Sequence, residues 1–63
     1  MAGGREIYVE FVALGNAVKA TAIDPATGIE ASVMGPSGAP RASLADAATR
    51  KLKYVLEKKR GGE

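Results

Sequence analysis

Between Arg5 and Leu14 the chain alternates, with Glu6, Tyr8, Glu10, Val12 and Leu14 on one side and Ile7, Val9, Phe11 and Ala13 on the other. A period of two among β-forming residues predicts a strand over residues 5–14. Gly15-Asn16 follows, a pair in which both residues tolerate positive φ and which suits a two-residue hairpin turn. The alternation resumes over 17–24 as a second strand. In the next turn, Asp24-Pro25-Ala26-Thr27-Gly28, proline sets φ early and glycine supplies the left-handed residue that closes it. A third strand covers 29–34, and Gly35-Pro36-Ser37-Gly38-Ala39-Pro40 breaks the pattern. From Pro40 or Arg41 onward the period becomes helical: Leu44, Ala48, Leu52 and Val55 form one stripe, with Ala45 and Leu56 at its edge. Pro40 suits a first helical position. A rival start lies at Ser43, whose hydroxyl has Asp46 three residues on. Gly61-Gly62 ends the helix.

The register supports this reading. A two-residue loop pairs Leu14 with Ala17, hence Phe11 with Ala20 and Val9 with Ala22; a four-residue loop pairs Asp24 with Ile29 and Ala20 with Val33. One face then collects Ile7, Val9, Phe11, Ala13, Val18, Ala20, Ala22, Ile29, Ala31 and Val33, all apolar. A slip of one residue would mix the faces. The expected fold class is therefore α+β: a three-stranded antiparallel meander with one C-terminal helix, over about 41–59, packed on one face. A helix of that length, at 1.5 Å per residue, runs roughly 28 Å and matches the strands in length. The ends, 1–4 and 61–63, are expected to be disordered.

Sixty-three residues make one small domain, 1–63. A chain this short buries only about 60% of the surface its unfolded form exposes. Disulfides, metals and oligomerisation are the usual remedies. With no cysteine and no histidine, the first is excluded and a transition-metal site is not expected. No cofactor is expected. Self-association thus remains as a way to bury more surface. The start carries no apolar run after a basic segment and does not read as a signal peptide, and Ala2 does not suit myristoylation. No stretch reaches the roughly 20 apolar residues of a membrane span. A cytoplasmic setting is the expectation, in keeping with the missing cysteines. The net charge of +2 is unevenly placed: residues 1–40 sum to −2 and residues 41–63 to +4.

Candidate chemistry is sparse. General acid–base work most often uses histidine, and nucleophilic catalysis needs an activated nucleophile. Ser32, Ser37 and Ser43 have no recognisable base, and the carboxylates are spread, so the chain does not read as an enzyme. Free N–H groups in the loop 35–40, just before a helix, could hold a phosphate. The loop matches neither a P-loop nor a dinucleotide fingerprint, and its two prolines remove donors, so it reads as a connector. The helix carries Arg50, Lys51, Lys53, Lys58, Lys59 and Arg60, six bases within eleven residues that suit nucleic-acid phosphates. The same cations complement the helix dipole at its C-terminus, Asp46 and Arg50 form an i,i+4 pair, and Tyr54 is the only ring on the helix. The open sheet face presents Tyr8, Val12, Ile23 and Met34, with Leu14 near the hairpin, among Glu10, Lys19, Thr21, Glu30 and Ser32. Scattered surface apolars are normal. A sheet covered on one side only can also use this face for a protein partner or a second copy, and the edge strands offer unpaired backbone groups.

Residues 15–28 (Gly-Asn-Ala-Val-Lys-Ala-Thr-Ala-Ile-Asp-Pro-Ala-Thr-Gly), then Gly35-Pro36 and Lys51-Leu52-Lys53-Tyr54-Val55-Leu56, resemble a family of short alphaproteobacterial proteins, a domain of unknown function. The resemblance implies a bacterial cytoplasmic origin and brings no activity, ligand or catalytic residue. The β-β-β-α order is also similar to the last two-thirds of a double-stranded-RNA-binding domain. That family carries a first helix absent here, and a lysine cluster where only Arg41 stands. The favoured expectation is a non-catalytic protein-interaction module acting through Tyr8, Val12, Ile23 and Met34. The alternative is an accessory nucleic-acid-binding protein acting through the basic helix.

Overall fold

The computed structural model describes residues 6–61. The chain runs through β1 (Tyr8–Leu14), β2 (Ala17–Asp24), β3 (Ile29–Pro36) and α1 (Arg41–Gly61). The strands form one antiparallel sheet in the order β1-β2-β3, so the architecture is the α+β meander with a C-terminal helix that the alternation predicts. The register is also as expected, with Leu14 opposite Ala17, Phe11 opposite Ala20, Ala20 opposite Val33 and Asp24 opposite Ile29. The hairpin closes because Gly15 takes a φ of 61°, where a side chain would be strained.

Two strand ends and the helix end differ from expectation, while the helix start is as expected. β1 begins at Tyr8, Glu6 and Ile7 preceding it without strand pairing, and Arg5 lies outside the described residues. β3 runs two residues past Met34, through Gly35 and Pro36, which pair with Val18 and Ala17. Pro36 is tolerated because β3 is an edge strand and the missing N–H falls on its outward side. The helix starts at Arg41. Pro40 stands just before it as the residue whose carbonyl accepts from Ser43 N–H and Leu44 N–H, and Ser43 lies within the first turn rather than opening it. The helix also includes Gly61; of the ends expected to be disordered, 1–4, 62 and 63 lie outside the described residues.

The core joins Val18, Ala20, Ala22 and Ala31 of the sheet to Leu44, Ala48, Leu52 and Leu56 of the helix. Those helical positions recur every four residues, and Leu56 takes the last buried place while Val55 is half-buried. Alanines under the helix let its leucines approach the sheet, each buried leucine contributing about 1.5–3 kcal/mol. The expectation that one helix shields the whole apolar face fails at β1. A helix is about 10 Å wide and strands lie about 4.8 Å apart, so α1 covers two strands. It lies over β2 and β3 and touches β1 only slightly. Val9 and Ile7 are half-buried, but Phe11 and Ala13, expected in the core, are exposed. The guanidinium of Arg41 sits 5.3 Å from the centre of the Phe11 ring and partly covers it.

Candidate functional site

The open face is built by the residues of β1–β3 whose side chains point away from α1. Across it, Tyr8 lies beside Ile23 and Ile23 beside Glu30, while Val12 lies beside Lys19 and Lys19 beside Met34. Between these rows runs Glu10, Thr21 and Ser32, and the Thr21 and Ser32 hydroxyls share a hydrogen bond of 2.9 Å. Thr21, flanked on the central strand by Glu10 and Ser32, is buried on a face that no described element covers. Tyr8, Val12 and Met34 are exposed, at 55%, 45% and 59%, and Leu14 at the hairpin end at 47%. Ile23 is half-buried by its place on the central strand. Sheet pairing thus brings the four expected residues onto one face, with Lys19 dividing Val12 from Met34.

The apolar exposure is concentrated on β1. Among the described residues, six large hydrophobic side chains are exposed, and four of them, Tyr8, Phe11, Val12 and Leu14, belong to this strand. Phe11 is on the opposite face from the other three, so β1 is apolar on both sides. Sequence reasoning missed this, because alternation assigns Phe11 to the core without saying how far one helix reaches.

The chain positions close to this site, and most of the rest, can be placed in a family: residues 4–59 match a domain of unknown function, DUF6898. The chain belongs to that family. No curated protein and no solved structure matches this DUF6898 chain.

In the other candidate regions of the DUF6898 domain several polar groups have partners within the chain. In the loop after β3, Ser37 N–H donates to the Asn16 carbonyl at 2.8 Å and Ala39 N–H to the Pro36 carbonyl at 2.9 Å. Two N–H groups of the would-be phosphate cradle are therefore spent on holding the loop. On α1, Arg50 pairs with Asp46 at 3.0 Å, both side chains largely solvated. Lys51 Nζ donates to the Ser32 carbonyl at 2.9 Å, and Lys58 lies 5.7 Å from the centre of the Tyr54 ring. Lys53 and Lys59 are exposed, and the side chain of Arg60 lies outside the described residues. Lys51 thus turns to the sheet edge while Arg50 pairs along the helix. Among the described residues no group of three or more His, Cys, Asp or Glu could hold a metal ion, and no helix is long and apolar enough to cross a membrane. No buried side-chain nitrogen or oxygen lacks a hydrogen-bond partner among them.

Proposed function

We propose that the domain is a non-catalytic protein-interaction module that self-associates on its β1 side, Tyr8 and Val12 of that strand sharing the open face with Ile23 and Met34. The observation that carries this reading is the concentration of exposed large apolar side chains on β1. Soluble monomers usually scatter such residues singly, and contiguous patches mark association surfaces. The thin core of a 63-residue chain adds a thermodynamic reason, since association buries surface that the fold alone leaves wet. A bacterial, cytoplasmic setting goes with this reading.

Nucleic-acid binding through Arg50, Lys51, Lys53, Lys58, Lys59 and Arg60 is the competing reading, favoured by the charge of residues 41–63. Against it stand the intramolecular partners of Arg50, Lys51 and Lys58. Light scattering separates the two when repeated with mixed nucleic acid at low and moderate salt. Self-association predicts a species of at least twice the 6.5 kDa chain mass, unchanged by nucleic acid. A monomer that gains mass with nucleic acid and loses it as salt rises would overturn the proposal and transfer the function to the helix.

A further inference from the structure

Resting on that reading, we infer that the associating partner is a second copy of this chain joined edge to edge through β1, giving a continuous six-stranded sheet. The argument begins with hydrogen-bond parity. The Asn16 carbonyl bonds to Ser37 N–H, beyond the end of β3, so the backbone groups of Val18, Ala20, Ala22 and Asp24 also face β3. Those of Ala17, Lys19, Thr21 and Ile23 then face β1, because alternate residues of an antiparallel strand bond to opposite sides. Their partners on β1 are Leu14, Val12, Glu10 and Tyr8. The N–H and C=O groups of Val9, Phe11 and Ala13 consequently point outward along an edge that no described strand pairs with.

The two edges of the sheet differ. On β3 the outward groups belong to Glu30, Ser32, Met34 and Pro36. Pro36 has no N–H to offer, and Lys51 reaches from α1 to occupy the Ser32 carbonyl. Proline and lysine are two of the devices by which proteins blunt edge strands. β1 carries neither. It is also the strand that α1 covers least and the one richest in exposed apolar side chains. A sheet with two open edges would add copies without limit. One open edge and one blunted edge close the assembly at two, through an isologous contact.

The strand is suited to pair with itself. A two-fold axis at Phe11 overlaps all of Tyr8–Leu14 and opposes Phe11 to its counterpart, Val9 to Ala13, Glu10 to Val12 and Tyr8 to Leu14 of the second copy. The parity is right, since Val9, Phe11 and Ala13 of each copy then exchange both N–H···O bonds with the other. A shift that centres the axis on Glu10 sets two carboxylates directly opposite and is disfavoured. A shift to Val12 leaves Tyr8 without a partner. With the axis at Phe11, the open-face patches of the two copies merge along the seam, and the Phe11 rings meet on the helix side.

The test compares the wild-type chain with two variants by light scattering at matched concentration, with far-UV circular dichroism to verify folding. Ala13→Pro removes one outward N–H and spares the β1–β2 ladder, which proline permits on an edge strand. Ile23→Lys places a charge in the open face of the central strand. The expected result is a dimer for wild type and Ile23→Lys, and a monomer for folded Ala13→Pro. If Ala13→Pro stays dimeric while Ile23→Lys becomes monomeric, the copies stack by their faces; the edge contact is then overturned and self-association survives. A monomeric wild type overturns both. Should Ala13→Pro not fold, Phe11→Cys decides: hydrogen-bonded partners have Cα atoms about 5.5 Å apart, within disulfide reach. Oxidation should link Phe11→Cys into a covalent dimer and leave Met34→Cys unlinked. A monomeric Phe11→Cys after oxidation, or a dimer that forms only with an added foreign strand peptide, overturns the inference.

Discussion

The ammonium group of Lys51 donates a hydrogen bond to the backbone carbonyl of Ser32, 2.9 Å away, and so ties the middle of α1 to the outer edge of β3. The contact is exposed, and because water competes for the ammonium it contributes little to folding, on the order of 1 kcal/mol or less. Its larger consequence is for the edge, because the carbonyl it occupies is one that an incoming strand would need. Lys51→Ala should therefore leave the urea midpoint nearly unchanged while raising the mean mass above that of the wild type as concentration increases. Light scattering over a dilution series measures this, and a concentration-independent mass equal to the wild type's would show that Pro36 blunts the edge without help.

Leu52 is fully buried at the centre of the helical stripe, between Ala48 and Leu56. Leu→Ala at such positions costs about 2–5 kcal/mol, and a domain of this size rarely holds more than about 3–5 kcal/mol in all. Leu52→Ala should thus lose most of its helical circular dichroism at 25 °C. Leu52→Met, which conserves volume, should cost less than about 1.5 kcal/mol and keep a cooperative urea transition. Equal behaviour of the two variants would mean that the helix does not depend on this contact.

The strands, the helix, the turns and the register were legible because each rests on local chemistry: period-two alternation, Gly15-Asn16, Asp24 to Gly28, and a stripe with helical spacing. Tyr8, Val12, Ile23 and Met34 could be placed on one face for the same reason. The fate of Phe11 was not legible. Its alternation is that of a core residue, and only the lateral position of α1 over β2 and β3 exposes it. The end of β3 was likewise hidden, since Gly35-Pro36 reads as a breaker until the direction of the missing N–H is known. Nor does the sequence disclose that Lys51 belongs to the sheet edge rather than to the basic face. All three are properties of how elements sit side by side, on which a local pattern is silent.

Gly35 lies under the first turn of α1. A methyl group built on it would come within 2.7 Å of Leu44 Cδ2, a side chain that is itself buried in the core. Gly35→Ala must therefore push Leu44 off its place in the core, at a cost of about 1–3 kcal/mol by the measure of other overpacked cores. Gly38→Ala meets nothing within 4 Å and should be neutral or slightly stabilising. Thermal denaturation of the pair checks the point, and equal melting temperatures would show that the helix start shifts freely.

Asp24 is the one fully buried acidic residue among those described, and it organises the β2–β3 turn. Its Oδ1 accepts from Ala26 N–H at 3.1 Å and its Oδ2 from the Thr27 hydroxyl at 3.1 Å, while the Thr27 oxygen accepts in turn from Ile29 N–H at 3.2 Å. The Asp24 carbonyl takes the N–H of Gly28 at 2.7 Å, which the φ of 78° at that glycine permits. Asp24→Ala takes the acceptor from the Ala26 N–H and the Thr27 hydroxyl and should cost about 1–3 kcal/mol. Asp24→Asn keeps an oxygen for Ala26, and its amide can donate to Thr27, whose oxygen has a second lone pair free for that bond. The asparagine variant should therefore recover most of the loss in urea denaturation. If it proves as unstable as the alanine variant, the negative charge and not the hydrogen-bond geometry holds the turn.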